Sequence, residues 1–343
     1  MGRGPEDDAV MEATANKIVE NRGAFISGRG GTGKSHLLKK FLIPKFLALG
    51  LKVHPIAFTH VAAANVDGNT ILHELHRWIK AKRLVVLVDE ASMVPMSMWA
   101  ALATLKFTGN TVVVLGDLDG QFLAIEDQGR EDQLINLELS PFMHDLCNGL
   151  HVSLQKYRRG VDEGHFDFVG ALYPKRGMYT LEQALVAARA RYPMRGAPGT
   201  TLCISHKMRM AVNSRMNEAL ALAQPDPVLV KAPEQPSTDF NQPQDMHVWP
   251  GIVLMARTKA DNKTIKNGLR YQVVGLCGEE LNLAAIDDDG IVSDVVFKMS
   301  EAELARSMRL THAITYFSSQ ARTIKGGLCL ADTDSPRASR SDT

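Results

Sequence analysis

Residues 25–35 read FISGRGGTGKS, an apolar run that ends in a glycine-rich turn closing on Lys-Ser. Gly28–Ser35 fit the pattern G-x-x-x-x-G-K-[ST], set after a strand and opening a helix. This feature constrains the fold most, because the pattern works only where a strand delivers the loop to a helix N-terminus. Gly28, Gly31 and Gly33 let the loop amides, that of Thr32 included, point inward around phosphates, and the helix end adds favourable partial charge. Lys34 is placed to reach the β- and γ-phosphates of a nucleoside triphosphate, and the Ser35 hydroxyl to ligate Mg²⁺. A glycine turn that binds nothing is the competing reading, and the complete pattern in its strand–turn–helix context argues against it.

The flanking residues extend the α/β reading. Segments 24–27, 52–58, 83–90 and 110–117 are short apolar runs separated by helical patterns, with Leu37, Leu38, Phe41 and Leu42 at helical spacing after the loop. Strands apolar on both faces belong to parallel sheets covered by helices, and such sheets bind ligands beyond the carboxyl ends of their strands. Asp89 and Glu90 close one such run: Asp89 is the candidate for the Mg²⁺ shell and Glu90 for the base that orients and deprotonates an attacking water. The expected organisation is a nucleotide-binding unit over residues 1–130, a polar linker near 125–133, and a second α/β unit over 150–343. The second unit carries a β-rich insertion at about 250–300 and a polar, disordered tail at 331–343.

Bulk properties exclude some classes. The chain has 343 residues, is 45% hydrophobic and 22% charged, and has a net charge of +1, so any basic footprint is local. Four dispersed cysteines with no C-x-x-C pair argue against a zinc site and for reduced thiols inside a cell, whether nuclear or cytoplasmic. No apolar stretch approaches the roughly 18 residues of a membrane span. Residues 257–270 hold Arg257, Lys259, Lys263, Lys266 and Arg270 against one acid, Asp261, which suits phosphate contacts as well as it suits a solvated face.

The run FTHVAAANVDGNT (58–70), the motif DEAS (89–92), GDLDGQF (116–122) and LQKYRRG (154–160) follow in order. TTLCISHKMRMAVNSRMNEAL (200–220) and LTHAITYFSSQARTI (310–324) come later. Together with the phosphate loop they resemble the superfamily 1 DNA helicases, specifically the RecD-like branch with its Pif-type members, which are P-loop ATPases of the AAA type. The resemblance covers most of the chain. It implies two RecA-like P-loop NTPase domains with a small SH3-like insertion in the second, and ATP-dependent movement on single-stranded DNA, 5′ to 3′, by a monomer. It further implies that Gln121 senses the γ-phosphate and that Arg158, carried by the second domain, acts as an arginine finger. Thr59, His60 and Thr70, then Thr315, Ser319 and Gln320, would contact the strand, and Asn213 matches a recurring asparagine.

The chain departs from the family pattern in several places. Phe317, Ser318 and Ala321 stand where the family has His, Lys and Gly, and residues 1–24 contain no glutamine to read adenine. A final Ala-Leu-Ser-Arg motif is not found, and Arg337 and Arg340 lie in the Ser-rich tail. Two alternatives stay open at this point. One is an RNA helicase of the plus-strand virus type, compatible with a viral or mobile-element origin. The other is a truncated descendant that binds nucleotide and strand with little turnover.

Overall fold

The computed structural model describes residues 5–78, 82–118, 124, 137–160, 162–173, 178–193, 196–233, 242–257, 265–278 and 280–333. Gln121, the 125–133 linker, Lys259, Asp261, Lys263, Arg337 and Arg340 lie outside the described residues. The chain divides into two compact units, Met1–Ala184 and Leu185–Thr343.

Unit 1 is built on a six-stranded sheet in the order β3-β2-β4-β5-β1-β6, with every pairing parallel. The strands are β1 (Gly23–Ser27), β2 (Lys52–Ala57), β3 (Asn69–Thr70), β4 (Leu84–Asp89), β5 (Thr111–Gly116) and β6 (His151–Ser153). The apolar runs read from the sequence are the central strands, and their period-2 alternation sends side chains to both faces. Phe25, Val86, Val88, Val112 and Val114 pack on one side with Trp99, Leu102 and Leu105. Ala24, Ile26, Val85, Leu87, Val113 and Leu115 pack on the other with Met11, Ile18, Leu37, Leu38 and Phe46. Each such Val, Leu or Ile contributes about 1.5–3 kcal/mol on burial, so the two faces hold the central strands in register. The helix after the phosphate loop runs through Lys34–His36, a wider π-type stretch Leu37–Leu42, and Ile43–Ala48.

The boundary between the units lies later in the chain than its sequence suggests. Residues 150–184 belong to unit 1 and not to the second unit. The reason is β6, whose Phe25↔His151, Ile26↔Val152 and Ser27↔Ser153 pairing extends the first sheet beside β1.

Unit 2 has a three-stranded parallel sheet in the order β15-β7-β16, from Ala313–Thr315, Thr200–Cys203 and Leu328–Leu330, and an antiparallel pair of β8 (Val228–Val230) with β9 (Met246–Val248). A five-stranded antiparallel sheet, β13-β12-β11-β10-β14, accounts for the β-rich insertion and runs on to Leu310. Its strands are Val253–Ala256, Arg270–Cys277, Glu280–Ile286, Val292–Ser300 and Met308–Leu310. Segment 309–319, expected as one strand, breaks into β14, β15 and the short helix Tyr316–Ser319, because the Thr315 hydroxyl accepts from the Ser318 amide at 3.2 Å and caps a helical turn. Asn213, on the helix His206–Ala221, is fully buried. Its amide nitrogen donates to the Ala313 carbonyl at 3.0 Å and its oxygen accepts from the Ala313 amide at 2.7 Å. The recurring asparagine therefore stitches this helix to β15.

Candidate nucleotide site

In an all-parallel sheet the carboxyl ends of the strands share one edge, and in unit 1 that edge collects five candidate segments. Gly28–Ser35 follows β1, Thr59-His60 follows β2, Glu90 follows β4, Asp117 follows β5, and Leu154–Arg158 follows β6. The loop conformation explains its glycines. Gly31 and Gly33 have φ of 87° and 97°, in the left-handed region that disfavours a side chain. A Cβ on Gly31 would also lie 2.7 Å from the Tyr157 ring, and one on Gly28 2.6 Å from the Leu154 carbonyl oxygen.

Lys34 is buried, and its ammonium donates to the carbonyls of Gly28 and Arg29. The Thr32 hydroxyl donates to the Arg29 carbonyl at 2.8 Å, closing the turn on itself. Across from the loop the Ser35 hydroxyl donates to Asp89 Oδ2 at 3.2 Å, over a sequence separation of 54 residues. Asp89 is 2% exposed. Burial, and then the neighbouring Glu90 carboxylate, raise its pKa from 3.8 to about 7, against the Glu90 amide, the Lys34 cation and the Ser35 hydroxyl. A buried carboxylate drawn to a hydroxyl, with an ammonium nearby and a half-buried second carboxylate beside it, suits a divalent cation, which would supply the missing positive charge. Glu90 itself sits at φ 52° and ψ 53°, a left-handed backbone on a non-glycine residue of the kind held in place at functional sites.

Arg158 is placed differently from expectation. It belongs to unit 1 and reaches the phosphate loop without any closure of units. Because β6 lies beside β1, the Leu154 amide donates to the Ser27 carbonyl at 2.8 Å, and the chain continues past the loop. The Arg158 amide donates to the Gly31 carbonyl at 2.8 Å, and Arg158 Nη1 donates to the Thr32 carbonyl at 2.9 Å. Asp7 lies 4.0 Å from Arg158 Nη2 and 2.6 Å from the Lys156 ammonium, so the first turn of helix Pro5–Asn21 balances this basic segment.

Three residues near the loop went unnoticed in the sequence. Arg29 stacks on Phe166 with its guanidinium 3.4 Å from the ring centroid, and its Nη1 donates to the Phe166 carbonyl at 2.9 Å. Tyr157 stacks on the same Phe166 ring, with the two centroids 4.5 Å apart. The Tyr173 hydroxyl donates to Asp117 Oδ2 at 2.9 Å. Phe166 and Tyr173, seven residues apart, are the one signal in the sequence: an aromatic pair at helical spacing just after the KYRR segment.

The candidate strand contacts divide between the units. Thr59 caps the helix His60–Asn65 by accepting from the Ala62 amide at 3.2 Å, and Thr70 is buried in β3. In unit 2 the Thr315 hydroxyl lies 2.8 Å from Ser318 Oγ, and the Ser319 hydroxyl donates to the Tyr316 carbonyl at 2.6 Å. Gln320, at the end of helix Tyr316–Ser319, is partly buried.

Comparison with known proteins agrees with this geometry. Residues 8–140 match the model of the AAA domain family. Over 95% of its length the chain superposes on the Pif1 helicase of Candida albicans, with a TM-score of 0.64, 17% identity and 88% of that chain covered. The fold is that of the Pif1-type P-loop proteins. A Bacteroides Pif1 solved with single-stranded DNA bound gives a TM-score of 0.63 at 18% identity, with 93% of this chain and 84% of that one covered. The ATP-dependent DNA helicase PIF1 of Danio rerio is 26% identical, over 57% of this chain and 34% of that protein. The chain thus spans about a third of the length of this curated relative. The Pif1-type likeness takes in both units, and among the described residues no helix is long and apolar enough to cross a membrane.

Proposed function

We propose that this chain is an ATP-dependent helicase or translocase on single-stranded DNA, moving 5′ to 3′ as an intracellular monomer. The observation that carries the reading is the 3.2 Å contact between Ser35 and buried Asp89 beside a complete phosphate loop, at the ligand edge of a parallel sheet. The donors suit ATP and Mg²⁺: a bound Mg²⁺ would screen phosphate charge between Ser35 and Asp89. Lys34 exchanges its loop carbonyls for β- and γ-phosphate oxygens, and the amides of Gly31, Thr32 and Gly33 line the phosphates. Glu90 takes the proton of the attacking water, Gln121 senses the γ-phosphate, and Arg158 steadies the charge that develops on the transferred group.

The strand contacts are assigned to Thr59, His60, Thr70, Thr315, Ser319 and Gln320. A capping hydroxyl that accepts from an amide keeps its hydrogen for a phosphate oxygen, so Thr59 can serve both roles. The likeness to Pif1 proteins and the four free cysteines support DNA as the partner and an intracellular setting. The test is steady-state hydrolysis with a strand-displacement assay on a 5′-tailed duplex. Nucleotide-dependent displacement supports the reading, whereas hydrolysis that is indifferent to any strand removes it.

A further inference from the structure

Unit 2 buries three arginine side chains. Arg209 is 1% exposed and Arg309 9%, and the Arg322 side chain is 5% exposed. They come from separate segments: the helix His206–Ala221, β14, and the turn after helix Tyr316–Ser319. Arg309 Nη2 donates to the Met255 sulfur at 3.0 Å and to Ser318 Oγ at 3.1 Å, and its buried Nε has no acceptor among the described residues. Arg322 Nη2 approaches the same sulfur at 3.9 Å and donates to the Gly268 carbonyl. The Arg322 contact with Asp288 is long, at 3.8 Å, and that carboxylate already accepts from Arg270 at 2.9 Å and from the Thr323 amide at 2.7 Å.

A buried guanidinium is normally held by an anion, and an uncompensated one is costly. A thioether sulfur is a weak acceptor and a poor substitute. Burial and the fields of Arg209, Arg322 and Arg257 together lower the Arg309 pKa to about 9. Two guanidiniums that converge on one flexible methionine sulfur mark the spot where an anion's oxygens would serve both, with the Ser318 hydroxyl next to Arg309. The donors approach from different segments, which suits a tetrahedral phosphate better than a planar carboxylate. A cavity of about 200 Å³ borders Met255 and Arg322 and gives the methionine somewhere to swing.

We propose that Arg309, Arg322 and Ser318 form a binding site for one phosphate group, which displaces the Met255 sulfur from between the two guanidiniums. The strand form of this proposal rests on the strand-binding reading above, and the free-ion form does not. Its phosphate is either one diester of a bound strand or a free phosphate ion.

The test uses the full chain saturated with ADP, so that the phosphate loop is filled. Thermal unfolding is followed in potassium phosphate against potassium chloride at equal ionic strength, and fluorescein-labelled dT20 binding is followed by polarisation against salt. The variants are Arg309→Met and Arg322→Met, each checked for fold by circular dichroism. If the phosphate comes from a strand, the folded variants bind dT20 about tenfold more weakly, with a salt slope reduced by about one. If it is the free ion, phosphate raises the melting temperature of the parent chain but not of the variants, and dT20 binding is unchanged. Should Arg309→Met fail to fold, Arg322→Met and the parent chain's own phosphate response decide. Variants that keep both the parental phosphate response and the parental dT20 affinity overturn the proposal, as does a parent chain in which neither ligand acts.

Discussion

Replacing Asp89 by Asn isolates the electrostatic cost of the candidate metal position. Asp89 is buried with its carboxyl raised from 3.8 to about 7, first by burial and then by Glu90. Below about pH 4 the carboxyl is protonated in both folded and unfolded chains and costs nothing. Between about 4 and 7 the unfolded carboxyl ionises while the folded one does not, so stability falls by about 1.4 kcal/mol per pH unit. Above about 7 both are ionised and the loss levels off at roughly 4 kcal/mol, the product of some three units and that slope. Asn fills the same space, keeps an oxygen to accept from the Glu90 amide, turns its Nδ2 to donate to the Ser35 hydroxyl oxygen, and carries no proton equilibrium. In the nucleotide-free chain with EDTA, Asp89→Asn is therefore expected to match the parent near pH 4.5 and to exceed it by up to about 4 kcal/mol at pH 8. Urea unfolding at the two pH values, with unit 1 followed by the fluorescence of buried Trp99, measures the gap. A gap that is the same at both pH values would refute the reasoning, because it would mean that Asp89 stays ionised throughout.

Other perturbations test other parts of the account. Lys34→Ala removes the cation aimed at the phosphates and is expected to abolish ATP hydrolysis; undiminished phosphate release would sink the site assignment. Arg158→Ala is expected to lose turnover while ADP affinity, measured by calorimetry, stays within about tenfold. An equal loss of both would assign Arg158 to holding the loop through the Thr32 carbonyl. Asn213→Ala strands the amide and carbonyl of Ala313 in a buried position and is expected to lower unit 2 stability by about 2–3 kcal/mol in urea unfolding. A loss below about 0.5 kcal/mol would show that the stitch to β15 is dispensable.

The sheet of unit 1 was legible because its central strands are continuous apolar runs, and their burial on both faces leaves no other arrangement. The phosphate loop and the acids at Asp89 and Glu90 were legible for a related reason: strand–turn–helix chemistry needs those residue types at fixed offsets. Arg158 was not legible in its place. Its segment follows a three-residue strand, His151–Ser153, too short to carry a periodic signal, and only the pairing with β1 reveals which unit it serves. The Arg29–Phe166 stack escaped notice because a contact across 137 residues leaves no local trace in the sequence. In unit 2 the β-rich character was plain from closely spaced turn residues. The short helix at Tyr316–Ser319 was hidden by β-forming neighbours, and a threonine cap decided it. The two guanidiniums at Met255 were equally hidden, since Arg309 and Arg322 lie more than fifty residues from it in sequence.

The most direct test of the central claim is the rate of ATP hydrolysis by this 343-residue chain, alone, with single-stranded DNA, and with single-stranded RNA of the same length. The account predicts a low basal rate that DNA raises many-fold and RNA does not. Measurable ATP binding with no turnover on either strand would contradict it, and would leave the Pif1-type fold as a record of ancestry rather than of activity.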